Sequence, residues 1–408
     1  MESLLMNTYA RMPVVFSKGS GAYLWDTSGK SYLDMFSGIA VTPLGHAHQS
    51  VADAISEQAH RLCHVSNVYG NELGEELADR IDTLVRSGYD QPDTTGDHTS
   101  ARGKVFLCNS GAEANECAIK LARKWKAWQA LENTGKGDSP GTILATEGSF
   151  HGRTLATWAA SGKSIDSQDY KPLPGGFSHI PYNDISSLED RLSMGDVSAF
   201  IVEPIQGENG VIDPDRGYLA AARDLCDRYG ALLVVDEVQT GLAKTGRWFA
   251  FQYDNILPDV VTVAKALGNG MPIGACWARA EVASAFRPGD HGSTFGGQPL
   301  ACAAAIATLK VMKEMDAPSR AVQIGNSIDK RLHTGGAILS LSGRGALRGI
   351  VLESDRSLDV ARKALENGLL VNAPRPQVIR IAPPLIMTDE ELESALDILV
   401  SSMEEVLR

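Results

Sequence analysis

Asp236 stands near the end of the apolar run ALLVVDEV (231–238), within VVDEVQTG. A carboxylate at the ligand edge of a sheet can hold a protonated ring nitrogen, and the ring then withdraws electrons from a carbanion. The same placement also suits an acid in a helix cap or an ion pair. Gln239, three residues on, can reach a ring hydroxyl or sit in a surface turn. Lys265 directly follows the run DVVTVA (259–264). A lysine at the end of a buried strand loses solvation, which lowers its pKa and makes its amine nucleophilic. The alternative is a lysine whose head reaches solvent. Gly268, Gly270 and Gly274 follow it, and glycines let a backbone turn closely around a ligand.

Other stretches offer groups for anions. In CNSGAEANECAIKLARKW (108–125) a strand runs into Ser110-Gly111-Ala112, where a helix begins. Backbone N–H groups and the helix dipole at such a junction favour phosphate, although an ordinary strand–helix turn has the same pattern. SFHGRTL (149–155) supplies the aromatic Phe150 and the planar cation Arg153, which suits a carboxylate. VEPIQGENG (202–210) carries Glu203 and Glu208, and HGSTFGGQPLACAAA (291–305) carries Ser293 and Thr294, whose hydroxyls can donate to phosphate. His46 and His48 in LGHAH have no acid or cysteine nearby in sequence to complete a metal site, so structural roles are expected. GKS occurs at 29–31 and 162–164, and VVDE resembles a Walker B strand. The glycine that a P-loop requires further upstream is replaced by Leu24 and Thr157, so a nucleotide triphosphatase is excluded.

These residues need elements to hold them. KVFLC (104–108), TILAT (142–146), AFIVEPI (199–205), ALLVVDEV and DVVTVA are short, β-branched and continuously apolar, the pattern of strands buried on both faces. Between two of them GYLAAARDLCDRYG (217–230) has helical periodicity and ends on Gly230. The alternation predicts an α/β fold with a mostly parallel, doubly wound sheet and ligands at the carboxyl ends of its strands. The ends of the chain differ. AYLWDTSGKSYLDM reads as a hairpin, and TDEELESALDILVSSMEEVL as a helix opened by the capping box Thr388–Glu391. Both ends are expected to pack together as a smaller α+β domain. Its boundaries are 1–49 and 311–408, around a large domain of 50–310. The polar segments 87–102 and 133–141 read as surface loops.

Composition narrows the partners. A net charge of −12 argues against nucleic acid or an anionic membrane as the main partner, and leaves a small anionic substrate open. Cys63, Cys108, Cys117, Cys226, Cys276 and Cys302 include no C-x-x-C pair, so reduced, mostly buried thiols are expected. The opening MESLLMNTYARM lacks a basic n-region and a long apolar run, and no stretch is long enough to span a bilayer. A cytoplasmic protein is expected.

In this order the motifs resemble the subgroup III aminotransferases of fold type I, and among them the acetylornithine and ornithine aminotransferases. The resemblance runs through YLWDTSGKSYLDMFSGIAVTPLGHAH, SNVYGNELGEELA, CNSGAEANECAIKLAR, SFHGRTL, VEPIQGENGV, LCDRYGALLVVDEVQTGLAKTGRWFA, PDVVTVAKALGNGMPIGA, HGSTFGGQPLACA and VIRIAPPL. It implies pyridoxal 5'-phosphate, carried on Lys265, which then shuttles a proton. Asp236 would pair with the pyridine nitrogen and Gln239 with the ring oxygen, while Phe150 and Val238 would cover the two ring faces. Gly111 and Ala112, with Ser110, would hold the phosphate, and Thr294 would reach it from the other subunit of a homodimer. The chain departs from the family pattern at Gln49 (usually Pro), Asn209 (usually a small residue), Asn269 (usually Gly) and Met271 (usually aromatic).

The resemblance also implies a substrate pair. A donor reacting through a terminal amine has no carboxylate at the reacting carbon, whereas 2-oxoglutarate has one. An arginine placed for that carboxylate would be left buried and unpaired with the first substrate, at considerable cost. Arg380 matches that arginine, and Glu208 matches a movable glutamate that neutralises it. A purely structural ion pair is the alternative. Arg153 would bind the distant carboxylate, and Ser293 would also touch the substrate. The expected reaction is transamination of N2-acetyl-L-ornithine with 2-oxoglutarate, in arginine biosynthesis. Ornithine, succinylornithine and 4-aminobutyrate are the alternative donors, and a non-catalytic protein of the same fold is the alternative class.

Overall fold

The computed structural model describes residues 4–89, 102–134, 141–163 and 169–407, so the polar stretches 87–102 and 133–141 fall largely outside it. Seven strands form the central sheet: β4 (Gly103–Cys108), β5 (Thr142–Thr146), β6 (Phe177–Ile180), β7 (Val197–Val202), β8 (Leu232–Asp236), β9 (Val260–Val263) and β10 (Gly274–Arg279). Their order is β4-β10-β9-β8-β7-β5-β6. Neighbours from β9 to β6 run parallel, and β10 is antiparallel to both β9 and β4. Every residue of β7, β8 and β9 is buried, as their unbroken apolar sequences require. The helix Tyr218–Tyr229 returns the chain from β7 to β8 and ends where Gly230 adopts φ 65°, a left-handed cap that a residue with a Cβ resists.

Two elements differ from the sequence expectation. GACWAR, hidden behind a glycine-rich turn, forms β10. β4 stands at the end of the strand order and pairs with β10 alone, so it is an edge strand. Four of its residues are half-buried and one is exposed, so it is not buried on both faces.

Both chain ends build around this sheet. A four-stranded sheet joins β1 (Phe16–Ser20), β2 (Tyr23–Asp26) and β3 (Ser31–Asp34) to β13 (Leu369–Leu370), with β3 and β13 parallel. An antiparallel sheet has the order β11-β12-β15-β14, comprising β11 (Ile338–Arg344), β12 (Leu347–Leu352), β15 (Val378–Ile381) and β14 (Asn372–Arg375). The last helix, Asp389–Leu407, is closed by both bonds of its capping box: Glu391 N donates to Thr388 Oγ1 (3.2 Å), and Thr388 N donates to the Glu391 carboxylate (2.9 Å). His46 Nε2 bonds Asp34 Oδ2 at 2.7 Å, a structural role. Five cysteines are buried and Cys63 is exposed.

Lys244 lies where these parts meet. It is fully buried, its Nζ donates to the carbonyl of Pro383 (3.0 Å), and its own carbonyl accepts from Ala346 N (3.0 Å). Burial draws its amine down to about 7, against a weaker opposing pull from the Asp34 carboxylate.

Candidate active site

A cavity of about 370 Å³ opens at the carboxyl ends of the central strands. Asp236, the last residue of β8, faces it and is 4% exposed. Its Oδ2 accepts from Asn115 Nδ2 (2.7 Å) and His151 Nδ1 (2.8 Å), and its Oδ1 accepts from Val238 N (3.0 Å). Asn115 is itself oriented by Thr262 on β9, whose hydroxyl donates to Asn115 Oδ1 at 2.7 Å. Three donors therefore fix the carboxylate as an acceptor aimed into the cavity. The sequence reading did not single out Asn115 or His151. The available signals were an asparagine on a buried face of the helix Gly111–Thr134 and a histidine beside Phe150 in SFHG.

Lys265 faces the same cavity from just beyond β9. Its backbone takes φ 39°, a strained conformation for a residue with a long side chain. Enclosure by protein, and then the Arg380 cation, draw its amine down to about 8. Phe150 and Val238 line the wall, as do Ser110, Gly111 and Ala112. The helix starts at Gly111, so the N–H groups of Gly111 and Ala112 have no acceptor within it. A Cβ on Gly111 would lie 2.7 Å from Val238 Cγ1, so only glycine lets the helix start approach that wall.

At the other side Arg380, on β15 and 2% exposed, has three acceptors. Nη1 donates to Glu208 Oε1 (2.7 Å) and Gln239 Oε1 (3.1 Å), and Nη2 donates to Asn372 Oδ1 (2.7 Å). Burial works against the Glu208 carboxylate, but the Arg380 guanidinium outweighs it and holds it below the usual carboxylate range. Arg153 lines the cavity, is exposed, and lies over the rings of Phe150 (5.5 Å) and Trp158 (5.8 Å). Glu203 is buried beneath, where desolvation pushes its carboxyl up to about 7. It joins two loops by accepting from Phe150 N (2.8 Å) and Gly207 N (3.3 Å).

Thus Lys265, Asp236, Ser110, Gly111, Ala112, Phe150, Val238, Gln239, Arg153 and Glu208 line one cavity, with Arg380 bonded to two of them. Ser293 and Thr294 do not line it. Ser293 Oγ accepts from Asn109 Nδ2 (3.1 Å), and Thr294 is exposed.

Asn269 has φ 45°, the region that favours glycine and tolerates asparagine, and its amide bonds Leu44 N (2.9 Å) and Gly45 O (3.1 Å). Gln49 is the first residue of the helix Gln49–Arg61, a position that suits proline.

The residues fit pyridoxal phosphate. The open N–H groups at the helix start suit a phosphate, Phe150 and Val238 a flat ring, the fixed Asp236 carboxylate a protonated ring nitrogen, and the Lys265 amine a carbonyl.

The chain matches the family model of class-III aminotransferases over residues 5–403. It is 46% identical over 399 residues to the acetylornithine aminotransferase of Methanothermobacter thermautotrophicus, covering 97% of this chain and 95% of that protein. Among solved structures it resembles the ornithine aminotransferase of Toxoplasma gondii in which PLP partially occupies the active site. The TM-score is 0.89 at 37% identity, covering 99% and 92% of the two chains. The acetylornithine aminotransferase of Elizabethkingia anophelis superposes with a TM-score of 0.82 at 35% identity, covering 98% and 96%.

Proposed function

The chain belongs to the class-III aminotransferases, and from that premise we propose that it exchanges the terminal amine of N2-acetyl-L-ornithine with 2-oxoglutarate, using pyridoxal 5'-phosphate. The products are N-acetylglutamate semialdehyde and glutamate, a step of arginine biosynthesis. The observation that carries this reading is the Glu208–Arg380 pair beside the cavity that holds Lys265 and Asp236.

When bound, the cofactor supplies an electron-withdrawing ring conjugated to the nitrogen being transferred. Lys265 would supply the amine that holds the cofactor and would then take up and return the proton at the substrate's reacting carbon. Its lowered pKa keeps a usable fraction unprotonated near neutrality. Asp236, fixed by Asn115, His151 and Val238, would keep the ring nitrogen protonated. Phe150 and Val238 would cover the two faces of the ring, Gln239 would contact its oxygen, and Ser110, Gly111 and Ala112 would hold the phosphate.

The donor presents a methylene at its reacting end, and Glu208 then neutralises Arg380. Arg153 takes the donor's distant carboxylate. When 2-oxoglutarate or glutamate enters, Glu208 swings aside, Arg380 pairs with the carboxylate beside the reacting carbon, and Arg153 takes the γ-carboxylate. Ser293 contacts the substrate.

Thr294 completes the phosphate site of the partner subunit in a homodimer. Exposed Phe295 and the exposed Val68 and Tyr69 beside it support that reading. The segment bearing them is held to the 293–296 turn by Asn67, whose Nδ2 donates to Ser293 O and Gly296 O (both 2.9 Å). The division into a large domain of 50–310 and a small one of 1–49 with 311–408 belongs to the same proposal, as does a cytoplasmic location. Among the described residues no helix is long and apolar enough to cross a membrane.

A panel of N2-acetyl-L-ornithine, ornithine, succinylornithine and 4-aminobutyrate with 2-oxoglutarate tests the assignment. The acetylated donor is expected to have the highest kcat/KM, and a higher value for free ornithine would overturn it.

A further inference from the structure

Glu208 belongs to a loop that is pinned at its neck. Gln206 and Ile212 exchange two backbone bonds, N to O at 3.0 Å and 3.1 Å. Beyond Glu208 the chain turns through Gly210 (φ 111°) and Val211 (φ 59°), and Val211 is fully buried in a small cluster with Ile205, Leu347, Ala40 and Ala382. The tip, Glu208 and Asn209, faces the hairpin of β14 and β15, and Gly210 beside it lies against Val378 and Arg375 of the same hairpin.

Two arginines of that hairpin hold the tip. Arg380 on β15 holds Glu208 by a bond that must break in every catalytic cycle under the reading above. Arg375 on β14 donates through Nη2 to Asn209 Oδ1. The other end of the Asn209 amide donates to Gln206 Oε1 (2.8 Å), and Gln206 Nε2 in turn donates to Glu147 O (2.8 Å) and Thr146 Oγ1 (3.0 Å). The Asn209 amide also lies against Gly148, where a Cβ would come within 2.3 Å of its nitrogen. Asn209 is thus engaged at both ends of its amide, and neither bond involves a group that the reaction must free.

We propose that Asn209, tied to Arg375, is a positioning residue that fixes the backbone of this loop tip and so biases Glu208 toward Arg380. The inference rests on the Glu208–Arg380 gate proposed above. With the tip tied, Glu208 can leave only by rotating its side chain. With the tip released, the backbone at Glu208 and Asn209 can shift as well, and the state in which Arg380 is open becomes more populated. A ligand that needs the open state binds with an affinity reduced by the fraction of open molecules, so the tie lowers affinity for dicarboxylates. It leaves a donor without a carboxylate at the reacting carbon unaffected or favoured. Asn209 therefore sets the balance between the two half-reactions without touching either substrate.

The test compares holoenzyme variants Asn209→Gly, Arg375→Met and the double variant. Single-turnover kcat/KM is measured for N2-acetyl-L-ornithine and for glutamate, and calorimetry measures the affinity for glutarate, a non-reacting dicarboxylate. Each single variant should bind glutarate more tightly. Each should also shift the ratio of glutamate to acetylated-donor kcat/KM toward glutamate by about tenfold, the scale of one charge-assisted hydrogen bond. The double variant should shift it no further than either single one. Arg375→Lys, which keeps a cationic donor for Asn209 Oδ1 and leaves the Asn209–Gln206 bond intact, should retain more of the wild-type ratio than Arg375→Met. If both half-reactions fall together, or glutarate affinity is unchanged, the tie is only structural and the proposal is overturned. Glu208→Gln separates the causes. If it shifts the ratio and Asn209→Gly does not, the tether alone is wrong; if neither shifts it, the gate is wrong too.

Discussion

Lys244→Met should change the sign of its effect on stability with pH. In the folded protein the Lys244 amine is drawn down to about 7 by burial, against an ordinary value of 10.5. Below pH 7 both the folded and the unfolded chain carry the proton, and the folded state bears the full cost of the buried ammonium. Between 7 and 10.5 the unfolded chain binds more protons, so stability rises with pH across that window. At about 1.4 kcal/mol per pKa unit the cost below pH 7 is of order 5 kcal/mol. Methionine keeps the unbranched length and removes the charge, but it loses the bond to Pro383 O, worth about 1 kcal/mol, and leaves that carbonyl unpaired. The variant should therefore be more stable than wild type by about 3 kcal/mol at pH 6 and slightly less stable at pH 10. Urea unfolding of both proteins from pH 6 to 10, followed by tryptophan fluorescence, measures it. Parallel curves for the two proteins would refute the reasoning, because they would mean that Lys244 keeps an ordinary pKa in the fold.

Three more outcomes concern the site. Lys265→Ala should lower turnover by at least roughly 10²–10⁴-fold, since under the proposed reading it removes both the amine that holds the cofactor and the group that moves the proton; a rate near wild type displaces Lys265 from that role. Asp236→Asn should still retain cofactor by absorbance while single-turnover rates fall steeply, and unchanged single-turnover kinetics would count against the ring-nitrogen pairing. Diluting the protein to monomers should release cofactor if Thr294 serves the neighbouring site, and Thr294→Ala should weaken retention without dissociating the dimer. A monomer that holds cofactor tightly contradicts both.

The sequence was most legible where chemistry and burial coincide along the chain. Asp236 and Lys265 each follow an apolar run that fits a buried strand, which pointed to the ligand edge, while the residues alone left a cap or ion-pair acid and a solvent-reaching lysine open. Gly111 and Ala112 announced themselves as the start of a helix after a strand. What could not be read depends on partners distant in sequence. Asn115 and His151 meet Asp236 from separate segments, and neither spacing nor periodicity records that meeting. Gln239 was read for its reach toward a ring oxygen, yet its Oε1 also accepts from Arg380, far along the chain. The edge position of β4 was missed for a similar reason. Its apolar content is that of a central strand, and nothing in it records that the strand pairs on one side alone, with β10 inserted between it and β9.

That insertion also sets an order of assembly. The turn Ser110–Gly111–Ala112 hangs from β4, and β4 pairs with β10 alone within its sheet. β4 ends at Cys108 and β10 begins at Gly274. At roughly 5–20 residues per second the ribosome needs about 10–30 s to make the chain between them. Throughout that interval the Ser110–Gly111–Ala112 turn has no neighbouring strand to seat it, and Lys265 is made only at the interval's close. A nascent chain therefore cannot capture cofactor piecemeal. Fragments released before Arg279 should be colourless and vulnerable to protease, whereas the first chain long enough to zip β10 between β9 and β4 gains sheet closure and a seat for that turn in the same event, with Thr294 and the partner subunit still to follow under the proposed reading.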